Sequence, residues 1–401
     1  MSIFPTADDT IYLDHAATTP LDPEVLAAMA PWLTERFGNP SSIYRLGQEA
    51  RAAIDDARGA VARVLGCGPA EIVFTSGATE ANNLAVKGIA WQRRLERERG
   101  WDAPLPHVVT TAIEHHAVLH AATALERHGF PVTYVQPDAH GIVAPDRVEE
   151  AIRPETCLVS VMSANNETGA VQPVAEIGRI ARQRKIPFHV DAVQGAGLLP
   201  LRVDYLGCDL LALSAHKFYG PKGVGLLYLR RGTPIEWQQD GGGQEGGRRG
   251  GTENVAGIVG LAAALTKADA ERPAYAAHCA ALRDRLEAGI LGTIPDAAVN
   301  GPTDPARRLP NNLNVAIPGI QGETVLLNLD MEGVAASAGS ACTTGNSEPS
   351  HVLLAMGLGA ERCRESLRFT VGRATTADQI DETVEILAET VARVRELAGV
   401  A

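Results

Sequence analysis

The sequence predicts an α/β protein: a large domain built on a mainly parallel sheet with helices on both faces, and a smaller α+β domain. Two observations lead there. Through the first two-thirds of the chain, short apolar runs closed by polar residues alternate with stretches of helical periodicity, the pattern of strands joined by crossover helices. After Ala270 that alternation gives way to helical stretches and a few isolated strands. The length agrees, because 401 residues exceed what one hydrophobic core usually serves.

In order, residues 11–20 read as a short strand ending in small residues and a turn, and 37–42 as a loop. Leu46, Ala50, Ile54, Ala57, Val61 and Val64 recur at helical spacing, with Ser41 or Ser42 placed to cap the helix. Residues 71–74 form the next strand, followed by Thr75-Ser76-Gly77-Ala78-Thr79-Glu80 and a helix through Leu84 and Ile89. At such a junction free N–H groups and the helix dipole converge on an anion. A plain β–α turn with a threonine cap accounts for the same residues. Residues 91–107 are charged and broken by prolines, which suits a surface helix end and a loop. The strand 107–113 delivers Glu114-His115-His116, and 131–136 and 157–163 are further strands. The second of these runs into the polar turn Asn165-Asn166-Glu167-Thr168-Gly169.

Residues 186–194 hold a strand that ends on Asp191, 26 residues before Lys217, about one crossover and a strand. Apolar runs 209–213 and 224–229 are too short for helices and flank Ser214-Ala215-His216-Lys217-Phe218-Tyr219-Gly220-Pro221-Lys222-Gly223. The glycine-rich stretch 240–252 reads as a mobile loop, with Arg248, Arg249 and Thr252 available to close on an anion. In the smaller domain 312–317, 334–337 and 366–371 are strands. The last helix opens on Thr376 with Gln379 three residues on, a capping box, and its face is Ile380, Val384, Leu387, Val391 and Val394.

Composition excludes several classes of function. Hydrophobic residues make up 45% and charged residues 21%, as in ordinary globular proteins. A net charge of −12 argues against an extended nucleic-acid surface. No apolar run is long enough to span a bilayer, and residues 1–9 have neither the basic nor the apolar region of a secretory leader, so a cytosolic protein is expected. Six scattered cysteines without a C-x-x-C pair indicate neither a disulfide framework nor a structural zinc. Glu114-His115-His116 is not the H-E-x-x-H of zinc proteases, and the common nucleotide-binding glycine loops are absent.

The chemistry gathers at strand ends. Thr79, His115, Asn166, Asp191 and Lys217 all fall there, where ligands collect in open α/β sheets. Most lysines are solvated surface groups. Partial desolvation beside the Gly/Pro turn would lower the pKa of Lys217 and make its amine nucleophilic. Lys217 therefore reads as the Schiff-base lysine of a pyridoxal phosphate enzyme. Cysteines are usually buried packing residues. Cys342 has small polar neighbours from Ala338 to Ser347 that do not bury a thiol, which suits a nucleophile that moves.

These segments occur in order over nearly the whole length and resemble the group I cysteine desulfurases. The resemblance rests on Tyr12-Leu13-Asp14-His15-Ala16-Ala17-Thr18-Thr19-Pro20, Phe74-Thr75-Ser76-Gly77-Ala78-Thr79-Glu80, Glu114-His115, Asn165-Asn166-Glu167 and Val190-Asp191-Ala192-Val193-Gln194. It continues through Ser214-Ala215-His216-Lys217, Arg249-Gly250-Gly251-Thr252, Gly339-Ser340-Ala341-Cys342 and Ser366-Leu367-Arg368-Phe369. It implies the pyridoxal phosphate transferase (fold type I) architecture. The large cofactor-binding domain, 17–270, would carry a seven-stranded sheet, and the small domain, 1–16 with 271–401, the catalytic cysteine loop.

The resemblance also implies roles. Lys217 joins the cofactor aldehyde. Asp191 pairs with the pyridine nitrogen and keeps it protonated, so the ring acts as an electron sink. His115 stacks on the ring as a candidate acid/base. Gln194 and Asn166 bond near the ring oxygen. Thr79, Ser214 and His216 hold the phosphate with the Ala78–Thr79 backbone. Thr252 is expected to reach the phosphate of the neighbouring subunit, which implies a homodimer. Arg368, with Asn166 beside it, clamps the substrate carboxylate. Lys217 takes the Cα proton of L-cysteine, the Cys342 thiolate attacks its sulfur, and the products are alanine and a persulfide for an acceptor protein, as in iron–sulfur cluster assembly. No metal, nucleic acid or membrane contact is expected. Selenocysteine lyase, a transaminase and a kynureninase-like enzyme share the scaffold, and a non-catalytic scaffold protein is opposed by the intact Lys217, Asp191 and Arg368.

Overall fold

The computed structural model describes residues 10–97, 105–338 and 348–399. In the first part, strand β1 is Ile11–Tyr12, followed by helices α1 (Pro23–Thr34) and α2 (Arg45–Leu65). Strand β2 (Ile72–Thr75), α3 (Ala78–Arg97), β3 (His107–Thr111), α4 (His116–Arg127), β4 (Val132–Val135), α5 (Pro145–Ala151) and β5 (Thr156–Met162) follow. Next come α6 (Val174–Arg184), β6 (Phe188–Asp191), α7 (Val203–Leu206), β7 (Leu210–Ser214), β8 (Gly225–Leu229) and α8 (Val255–Thr293).

Seven strands form one sheet in the order β2-β8-β7-β6-β5-β3-β4. Only β8 runs against its neighbours, so the sheet is mainly parallel, as expected. Successive side chains on a strand point to opposite faces. Ile72 and Phe74, Leu211 and Leu213, and Leu226 and Tyr228 accordingly pack on one face with α2, α6 and the first half of α8. Val73, Leu210, Ala212 and Leu227 face the other way, against α3 and α4. Both faces being buried explains why these strands are nearly continuous apolar runs.

The rest of the chain builds β9 (Ala298–Val299), β10 (Asn312–Ala316), α9 (Gly322–Met331), β11 (Val334–Ala335), α10 (His351–Ala355), α11 (Ala360–Arg364), β12 (Ser366–Thr370) and α12 (Ala377–Ala398). An antiparallel sheet in the order β12-β10-β9 and the parallel pair β1–β11 enclose a second core with Leu282, Leu286, Ile290, Val325, Leu329, Leu387 and Val391. The capping box of α12 is present, with Thr376 accepting from the Gln379 N–H and the Gln379 side chain accepting from the Thr376 N–H.

Three sequence expectations are corrected. Helix α2 starts after Tyr44, which makes no side-chain cap, so neither Ser41 nor Ser42 caps it; Ser41 instead closes a turn on the Asn39 side chain. Helix α8 runs unbroken through residue 270, and its two halves serve the two cores. The stretch 240–252 is anchored by charge. Glu245 meets Arg58 in a two-pronged ion pair, Arg249 meets Glu80, and Arg248 donates to the Ala70 and Glu245 carbonyls. Those arginines are engaged inside the fold rather than held open for an anion. Among the described residues no helix is long and apolar enough to cross a membrane.

Candidate active site

Strands β5, β6 and β7 end together, and beyond their carboxyl ends lies a cavity of about 450 Å³. Ala78, Thr79, His115, Asn166, Asp191, Gln194, Ser214, His216 and Lys217 line it together. Helix α3 contributes its first turn, whose N–H groups have no partner within the helix. The turn before it sits hard against β8: a Cβ on Gly225 would lie 2.5 Å from the Leu213 carbonyl oxygen and 2.7 Å from the Gly77 backbone. Glycine at 225 is what allows this approach.

Lys217 closes the short 3-10 turn, Ala215–Lys217, that follows β7. Its Nζ donates to the carbonyl oxygens of Ala16 at 2.5 Å and Ala17 at 2.7 Å. Burial, with the nearby Arg368 cation second, lowers its pKa from 10.5 to about 8. Asp191, on the last residue of β6, is buried; its Oδ2 accepts from Asn82 Nδ2 at 2.6 Å and its Oδ1 from the Val193 N–H at 3.1 Å. Burial raises its pKa, opposed first by His115. A cation beside this carboxylate would reverse that shift.

His115 caps α4, and its Nδ1 accepts the Ala117 N–H at 3.1 Å. The neutral ring therefore carries its proton on Nε2. The side chain opens onto the cavity, and desolvation by the surrounding protein lowers its pKa against the pull of Asp191. Burial also lowers His216 to about 4, with Lys217 and Lys222 contributing, while its Nδ1 lies 3.1 Å from Thr18 Oγ1. Gln194 Nε2 donates to the Ala16 carbonyl at 3.1 Å.

Arg368 and Thr252 are not in the cavity wall. Arg368, on β12, is joined to it: Nη1 donates to the Asn166 carbonyl at 2.9 Å and Nη2 to Asp14 Oδ1 at 2.6 Å. Thr252 lines a neighbouring recess of about 200 Å³ with Ser76, Gly223 and Arg249. Cys342 lies outside the described residues.

The residues fit a pyridoxal phosphate. An amine, a buried carboxylate and a set of hydroxyls at a helix N-terminus surround one cavity, matching the aldehyde, ring nitrogen and phosphate of that cofactor. Among the described residues no cluster suits a metal ion.

Residues 11–383 match the family model for aminotransferase class-V. The chain belongs to this family. A cysteine desulfurase IscS of Dictyoglomus turgidum is 46% identical over 388 residues, spanning 97% of this chain and 96% of that one. Among solved structures, a NifS-like protein superposes with a TM-score of 0.87 at 37% identity, covering 96% of this chain and all of the other. A structure titled SspA in complex with cysteine superposes with a TM-score of 0.78 at 37% identity, covering 91% and 99%. Class-V aminotransferases and cysteine desulfurases are pyridoxal phosphate enzymes, which agrees with the fit of the cavity.

Among the cavity residues to which sequence reasoning gave no role are Thr18, Asn82 and Lys222. Asn82 was detectable. It is four residues after Ala78 on a helix that starts there, so it shares the face that meets the cavity. Lys222 comes from a turn, where sequence spacing carries no facing information.

Proposed function

We propose that the chain is a pyridoxal phosphate-dependent cysteine desulfurase. It would convert L-cysteine to L-alanine and leave the sulfur as a persulfide on Cys342. The observation that carries this is the pairing across one cavity of a depressed-pKa lysine with a buried carboxylate, and an arginine joined to the same wall through Asn166.

The cofactor, when bound, supplies an aldehyde for amines and a ring that accepts electrons from the substrate Cα. Asp191 holds a proton on the ring nitrogen, and Asn82 and the Val193 N–H hold Asp191 in place. Thr79, Ser214 and His216, with the first turn of α3, hold the phosphate. Lys217, with its pKa lowered to about 8, is neutral in roughly one copy in ten at pH 7, far more often than an ordinary lysine, and takes the Cα proton. Its return position is set by the Ala16 and Ala17 carbonyls. His115 presents Nε2–H as acid and stacking partner. Arg368 binds the substrate carboxylate, with Asn166 beside it. The Cys342 thiolate attacks the substrate sulfur. The C–S bond breaks as the S–S bond forms, the carbon fragment takes up the electron pair and protons, and no outside oxidant is needed.

The remaining parts of the proposal concern assembly. A homodimer is supported by the exposed apolar side chains Leu33, Phe37, Ile43 and Tyr44, Ile43 being 90% exposed, and by Thr252 lying outside the cavity of its own chain. Two domains, 17–270 and 1–16 with 271–401, are supported by the two cores that α8 joins, with Val352, Leu353, Met356 and Cys363 of the second segment reaching across to the first core. A cytosolic location is supported by free thiols at all five described cysteines. The sulfur passes to an acceptor protein, with iron–sulfur cluster synthesis the leading route. The test is incubation with L-cysteine, assay of alanine and intact-mass measurement. One added sulfur on Cys342 and equimolar alanine are expected. Alanine formed at an undiminished rate by Cys342→Ala would overturn the proposal.

A further inference from the structure

We infer that Asp14 is a positioning residue for substrate recognition: it holds the Arg368 guanidinium in the orientation that receives a carboxylate. The inference rests on the reading of Arg368 given above. An arginine side chain has many rotamers, and a site that receives a carboxylate on a guanidinium fork needs one of them fixed in advance. Asp14 and Asn166 anchor it here. Asp14 Oδ1 takes a hydrogen bond from Nη2 at 2.6 Å, and the Asn166 carbonyl takes one from Nη1 at 2.9 Å. These contacts fall on different terminal nitrogens and so set both the position and the plane of the group. The pair is partly buried, with side-chain exposures of 5% for Arg368 and 20% for Asp14, so the contact is stronger than a surface ion pair.

The anchor is itself held. The Asp14 carbonyl accepts from Tyr12 Oη at 3.0 Å and from the Ala17 N–H at 3.0 Å, and Asp14 bridges to Thr370 of β12. The same turn supplies the Ala16 and Ala17 carbonyls that receive the Lys217 amine. One short turn therefore sets the carboxylate-binding arginine and the reacting lysine relative to each other.

Asp14 also opposes substrate, because its carboxylate competes for the same cation. Orientation wins if loss of the side chain weakens binding; competition wins if it tightens binding. The experiment uses the cofactor-loaded protein. Dissociation constants for L-alanine, which has the carboxylate, and cysteamine, which lacks it, are read from the visible-absorbance change, alongside KM and kcat for L-cysteine. For Asp14→Ala we expect the L-alanine constant and the L-cysteine KM to rise roughly tenfold, the loss expected for one charge-assisted hydrogen bond, with kcat changed far less. Cysteamine binding should stay within about twofold, and Asp14→Asn, which keeps an oxygen for Nη2, should recover most of the affinity. Asp14→Ser serves with the same expectations if the alanine variant does not fold. Unchanged or tighter L-alanine binding in Asp14→Ala, with Arg368→Ala weakening it, overturns this inference alone. Unchanged binding in Arg368→Ala overturns the reading of Arg368 and this inference with it.

Discussion

Glu245 offers the sharpest test of how the glycine-rich stretch is held. Its carboxylate meets Arg58 at 2.5 and 2.9 Å and also accepts the Phe74 N–H at 3.0 Å. Arg58 further donates to the Ile72 carbonyl and lies over the Phe74 ring, 4.8 Å from its centre. The side chains are only 10% and 2% exposed. Glu245 sits at φ 49°, a left-handed conformation that a residue with a Cβ adopts only when its surroundings hold it there. Glu245→Gln keeps the shape and removes the charge, leaving a buried guanidinium without its counter-ion. Breaking one side of such a pair costs about 3–5 kcal/mol. For a chain of 401 residues that corresponds to a fall in melting temperature of roughly 4–6 °C. The double variant Arg58→Met/Glu245→Gln, with no charge left to strand, should recover at least half of the loss. Scanning calorimetry of Glu245→Gln, Arg58→Met and the double variant gives the comparison. A single variant within about 2 °C of the parent, or a double variant worse than the sum of the singles, would refute the reasoning.

Three further outcomes follow from the site. Gly225→Ala should weaken pyridoxal phosphate binding strongly, because the new Cβ would press on the Gly77 turn; fluorescence titration of the apoprotein measures it, and unchanged affinity would contradict the close approach. Cofactor capture by the apoprotein should speed up with rising pH and level off above about 8, since Lys217 is then already neutral; a rate still rising tenfold per pH unit at pH 9.5 would place its pKa near the ordinary value. Burial raises Glu114 to about 8, so its neutral form is favoured in the fold and its contribution to stability falls as pH rises from 4.5 through 8. Glu114→Gln should flatten that part of the melting-temperature profile and stabilise the protein above pH 8; a parallel profile would contradict the assignment.

Much of this was legible in the sequence because strand ends are marked chemically. Asp191 and Lys217 each close or follow a short apolar run, and a parallel sheet puts all such ends on one side. The order of those runs pointed to five residues of one wall, Thr79, His115, Asn166, Asp191 and Lys217, and the family resemblance supplied Ala78, Gln194, Ser214 and His216 beside them. Other features depend on contacts between residues far apart in the chain. Nothing local to Glu245 tells that Arg58 awaits it, so a glycine-rich composition read as mobility where the structure has an anchored stretch. Asp14 and Arg368 are likewise joined only when β12 lies beside the first turn of the chain. The start of α2 was misplaced for a simpler reason: two serines in a turn look like caps, yet Ser41 spends its backbone N–H on Asn39 two residues earlier.

Borohydride reduction of the cofactor-loaded protein, followed by peptide mass analysis, tests the central claim most directly. A pyridoxyl group fixed to Lys217, with the visible absorbance lost in proportion, is the result this account requires. A colourless protein, or a label found on any other lysine, would contradict it.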